Sequence, residues 1–133
     1  MASKDEPPAV GVSIVSAQPN QHTSQYAVAW QITNSGLQAI ELEESWLPHG
    51  KFRGARQAFE PHLILPAGAT GLHQRMVDVI VMPGGVVENA FLILQARCQG
   101  ELWRIFVRMR VEAPADRNAR PIVEAITASP VRA

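Results

Sequence analysis

The chain has 133 residues, of which 47% are hydrophobic and 18% charged, with 12 basic and 12 acidic side chains. That length and apolar fraction suit one folded core and exclude a disordered chain, while the zero formal charge leaves no global electrostatic footprint for nucleic acid or a membrane surface. The single cysteine, Cys98, excludes an intrachain disulfide and makes a reducing cytoplasm the expected setting.

Residues 1–9 are polar and proline-rich, with no apolar core of a signal peptide, and read as a flexible leader. From residue 10 the apolar pattern has a period of two, which predicts strands. "VGVSIVSAQ" (10–18) is a first strand. "SQYAVAWQIT" (24–33) is a second, with Tyr26, Val28, Trp30 and Ile32 inward. After the turn signal "NSG", "AIELEESW" (39–46) places Ile40 and Leu42 inward and Glu41 and Glu43 outward. Residues 47–62 carry two glycines and two prolines and read as an irregular connection. "LILPAGATG" (63–71) reads as a short strand and turn. "LHQRMVDVIV" (72–81) is a strand with Val77, Val79 and Val81 on one face.

The segment "NAFLILQARCQGELWRIFVRMRV" (89–111) reads as a hairpin with a two-residue turn at Gln99-Gly100. Such a turn sets Cys98 opposite Glu101 and fixes every later pair. One face then holds Ala90, Leu92, Leu94, Ala96, Trp103, Ile105, Val107 and Met109, all apolar. The other mixes Phe91, Ile93 and Phe106 with Arg97, Arg104 and Arg108. Residues 113–133 contain Pro114, Pro121 and Pro130, which argue against a central strand, and are expected to be a C-terminal tail, disordered or docked on the sheet.

Trp30 on the second strand, "TNSG" (33–36), "LPAG" (65–68) and the long final hairpin together resemble the plan of immunoglobulin-like and fibronectin-type domains. The resemblance covers residues 10–112 and is architectural; the cysteine pair of antibody domains is missing. It implies an all-β, immunoglobulin-like antiparallel β-sandwich of about seven strands, and a binding or scaffolding role more often than catalysis. The Ala-, Arg- and Pro-rich usage adds a compositional suggestion of a bacterial source.

The inventory of reactive residues offers little chemistry. Within 10–112 the sole aspartate is Asp78, in mid-strand, and neither a nucleophile elbow nor a phosphate-binding glycine loop occurs. Cys98 lies at the inner end of its strand, where a small buried thiol is the expected role. His22, His49, His62 and His73 show no zinc-type spacing, although His62 and His73 flank the "LPAG" turn and converge if those segments pair. Glu41 and Glu43 stand roughly 6.5–7 Å apart on one strand face, a spacing compatible with a carboxylate pair, but that face is expected to be wet. No enzyme, cofactor or metal is therefore expected.

Two surfaces remain. The first is the outer hairpin face, with Phe91, Ile93, Arg97, Arg104, Phe106 and Arg108, joined by Glu41 and Glu43 if the third strand pairs with the hairpin. An acidic edge, apolar centre and basic edge would suit a protein partner or, through a two-fold axis, a homodimer. The second is the 49–62 connection, where His49, Lys51, Arg53 and Arg56 beside Phe52 and Phe59 form a candidate anion-binding or single-stranded nucleic-acid-binding loop. The first is the expected function, a non-catalytic interaction domain without membrane contact; the second is the alternative.

Overall fold

A computed structural model describes residues 6–115 and 118–131; residues 1–5 of the expected leader and parts of the C-terminal segment lie outside the described residues. The chain forms eight strands: β1 (Val10–Pro19), β2 (Gln25–Asn34), β3 (Ile40–His49), β4 (Phe52–Leu65), β5 (Thr70–Val79), β6 (Val86–Cys98), β7 (Glu101–Glu112) and β8 (Arg120–Pro130). They make one antiparallel sheet in the order β1-β2-β5-β4-β3-β6-β7-β8, whose end strands come back together without a ladder between them, so the sheet is nearly closed. Among the described residues there is no helix that is long and apolar enough to cross a membrane.

The fold is all-β, as the period-two pattern predicts, but it is a single barrel-like sheet of eight strands and not clearly a seven-stranded sandwich. Three differences account for this. The segment 47–62 is not an irregular connection: β3 runs to His49, Gly50 and Lys51 make the turn, and β4 starts at Phe52. The expected strand and turn at 63–71 divide between the end of β4 and the start of β5. The C-terminal segment supplies an eighth strand, with Trp103 opposite Pro130 and Val111 opposite Pro121. Proline cannot donate to a ladder, and β8 tolerates it because, among the described residues, it has a ladder with β7 alone.

The β6–β7 hairpin follows its turn. Cys98 faces Glu101, and the pairing continues unbroken to Ala90 opposite Met109. Gln99 and Gly100 both have positive φ, 52° and 77°, the conformation of a type I′ turn whose twist matches the strands. All four inward pairs of the hairpin are buried. With Leu42 of β3 beside them, they meet Val28, Trp30, Ile32 and Val77 from the opposite wall in one continuous core. At about 25 cal/mol per Å² of apolar surface, each large member contributes on the order of 2 kcal/mol to folding.

The opposite wall is less regular. β4 and β5 pair at only two positions, Phe52 with Val79 and Arg53 with Asp78. Where that ladder stops, Arg75 from β5 points inward and is 6% exposed. Its Nη1 donates to the Ser45 carbonyl at 3.0 Å and to Ser45 Oγ at 3.3 Å, and its Nη2 donates to the Ala55 carbonyl. One guanidinium thus ties β5 to β3 and β4 where backbone bonds are missing. Gly54 makes room for it: a Cβ there would sit 3.2 Å from Arg75 Nη2 and collide with Leu47.

Candidate functional site

The outer face of β3, β6, β7 and β8 is built in rows across the strands. One row runs Trp46, Ile93, Phe106, Thr127, and the next runs Glu44, Gln95, Arg104, Ser129. Phe91 and Arg108 form the row on the far side of Ile93. The structure therefore brings Phe91, Ile93, Arg97, Arg104, Phe106 and Arg108 onto one face, with Glu41 and Glu43 beside them through the β3–β6 pairing.

The centre of this face is Trp46. The Arg56 guanidinium lies 4.4 Å from its ring centroid and that of Arg104 lies 5.5 Å away, so two cations lie against one indole. Beside it the Phe91 and Phe106 rings meet edge to face, 6.3 Å apart at 88°. Ile93, between Trp46 and Phe106 in the ladder, is 8% exposed. The isoleucine is thus closed over by residues of its own sheet, and β8 extends the sheet beside Phe106 instead of folding across it.

Strict alternation in "ELEESW" would point Glu44 and Trp46 inward with Leu42. A bulge between Leu42 and Glu44 reverses the parity, so Ser45 becomes fully buried and Trp46 faces out. The sequence carries the signal in Glu44, an acid at an inward parity, and the bulge relieves that conflict.

Several charges are already paired. Arg97 Nε donates to Glu43 at 3.0 Å, and Arg56 donates to Glu44 and, at 2.9 Å, to Gln95. Burial would raise the Glu43 pKa, but hydrogen bonds from Arg97 and Gln95 reverse that and hold it below the usual carboxylate range. Among the described residues, neither Arg104 nor Arg108 has a carboxylate partner. The uncompensated charge of the face is positive.

The residues of the expected 49–62 loop are not gathered in one place. His49 ends β3 and Lys51 lies in the β3–β4 turn, where His49 Nδ1 accepts from the Lys51 backbone N–H at 3.0 Å. Arg53 is exposed on β4, its backbone opposite Asp78, and Arg56 belongs to the Trp46 cluster. Phe52 and Phe59 are buried in the core.

His62 and His73 do not converge. His62 is exposed and pairs with Glu41, whereas His73 points inward. His73 Nε2 lies 2.8 Å from Ser45 Oγ, and the ring stacks on Phe59 at 4.3 Å. Burial, and then the charge of Arg75, depress the His73 pKa to about 4, so the ring is neutral near pH 7. Ser45, His73 and Arg75 form a polar cluster that the reading of the sequence missed, although His73 and Arg75 share the parity of inward Val77. Ser45 is 0% exposed, Asp78 lies on the outward parity of β5, and among the described residues no carboxylate is hydrogen-bonded to His73. Cys98 is buried, which raises its thiol pKa and makes it a weak nucleophile.

Searched against protein-family models and curated proteins, the chain finds no match.

Proposed function

We propose that the chain is a non-catalytic, immunoglobulin-like interaction domain that binds a protein partner through the outer face of β3, β6, β7 and β8. The strand order supports the fold reading: β1-β2-β5-β4 and β3-β6-β7 reproduce the two strand sets of the seven-stranded immunoglobulin plan, with β4 bridging them and β8 added beside β7.

The observation that carries the functional reading is Trp46, with Arg56 and Arg104 both against its ring, beside the Phe91–Phe106 pair. Tryptophan, aromatic and arginine side chains supply most binding energy at protein interfaces, and here they sit pre-positioned on a rigid sheet. The glutamates that would complement a second copy are largely engaged within the chain, while Arg104 and Arg108 are left over. The chemistry that fits is an acidic segment with an apolar side chain to lie against Trp46 and Phe106.

Selection from a displayed random-peptide library tests this. The expected result is enrichment of acidic, apolar sequences whose binding is lost in Trp46→Ala and Arg104→Ala. Selected peptides that bind Trp46→Ala as tightly as wild type would remove the reading.

A further inference from the structure

β3 presents Glu41 and Glu43 on its outer side, and β4 answers with an irregularity of its own. The ladder passes from Leu42 opposite Leu63 to Glu44 opposite Ala58, so residues 59–62 leave the pairing. This excursion sends Phe59 into the core and carries His62 out to the two glutamates. His62 Nδ1 lies 2.6 Å from Glu41 Oε2, and one donor atom from each of Glu41, Glu43 and His62 falls within 4.8 Å of the others.

We propose that Glu41, Glu43 and His62 form a binding site for a divalent first-row transition-metal ion, of which zinc and cobalt are the best fit. One imidazole nitrogen and two carboxylate oxygens make a mixed donor set of the kind that holds these ions. Bonds of about 2.0–2.2 Å to one ion place its ligand atoms roughly 3–3.5 Å apart, so small side-chain rotations close the set. An ordinary Glu41–His62 ion pair needs one carboxylate. The second, brought within the same radius, turns a pair into a three-donor cradle with open positions for water. Charge favours a cation as well: Glu60 adds a further negative charge close enough to act on His62, and the neighbouring cation is Arg97.

Arg97 sets the strength of the site. Its Nε donates to Glu43 Oε2, while Gln95 donates to Oε1 at 3.3 Å, so an entering ion competes with a guanidinium for Glu43. The site therefore binds more weakly than one built from the same ligands alone, and Arg97→Gln tightens it. The site borders the Trp46 surface through Glu43 and Arg97, but His62 is no part of that surface, so loss of metal binding in His62→Ala and loss of peptide binding in Trp46→Ala are separate outcomes.

Titration of the intact chain with Co²⁺, followed by absorption, and with Zn²⁺, followed by calorimetry, tests the proposal. One equivalent should bind saturably. His62→Ala and Glu43→Gln should each weaken binding by roughly tenfold or more, the scale on which even outer ligands act. His22→Ala with His49→Ala should change nothing. Circular dichroism confirms that each variant is folded, which the exposure of His62 favours. No saturable binding at millimolar metal, or equal binding by His62→Ala and wild type, overturns the site. Weaker binding by Arg97→Gln overturns the competition.

Discussion

Along the outer side of β1, β2 and β5 stand Ser13, Ser16, Ala27, Ala29, Gln31, Leu72, Gln74 and Met76, small or neutral side chains with Asp78 alone charged at one end. Along the outer side of β3, β6 and β7 stand Glu44, Trp46, Phe91, Gln95, Arg97, Arg104 and Arg108. Leu72, 66% exposed, is far more open to water than Ile93 at 8%. Exposure of single apolar residues is common and marks no site. What sets the second face apart is organisation: aromatic rings in contact, cations over an indole, and glutamates held by arginines. The two halves are joined through the β4–β5 seam, where the polar cluster of Ser45, His73 and Arg75 replaces a ladder.

The strongest way to break this arrangement is at the seam. Arg75→Ala removes three hydrogen bonds that tie β5 to β3 and β4, with an expected loss of about 3 kcal/mol in chemical denaturation. The halves should then also part in hydrogen exchange, with β5 amides losing protection before those of the β6–β7 hairpin.

The seam should also respond to acid. The folded-state pKa of His73 lies near 4, below its unfolded value of about 6.5, so the unfolded chain binds the extra proton in that window. Stability from this residue is complete above pH 6.5, falls as pH drops toward 4, and levels off below. The expected change is up to about 3 kcal/mol. A wild-type curve that, after subtraction of the His73→Gln curve, is flat between pH 7 and 4 would contradict it.

On the charged face the expected stability effects are smaller. Arg97→Ala removes a half-exposed guanidinium from Glu43 and should cost about 1 kcal/mol, decreasing further with added salt. On the neutral face, Leu72→Gln should change stability by less than about 0.5 kcal/mol.

The hairpin and its core face were legible because one local element, Gln99-Gly100, sets the whole register. β8 was hidden by Pro121 and Pro130, which rule out a central strand but are compatible with this strand's position beside β7 alone. β4 was hidden because Gly54, needed for Arg75 to pass, and Pro61, in the excursion, look like loop residues when read alone. The outward turn of Trp46 depends on a bulge, and its environment depends on Arg56 and Arg104, which are distant in sequence. The convergence of Glu41, Glu43 and His62 likewise requires the β4 excursion. Spacing along the chain registers neither.

We propose the organised face, and not the more exposed neutral one, as the place where a partner docks. Calorimetry with one enriched acidic peptide against wild type, Trp46→Ala and Leu72→Ala tests it most directly. Trp46→Ala should weaken binding by about 30-fold or more while Leu72→Ala leaves it unchanged. The reverse order, with Leu72→Ala weakening binding and Trp46→Ala neutral, would contradict it.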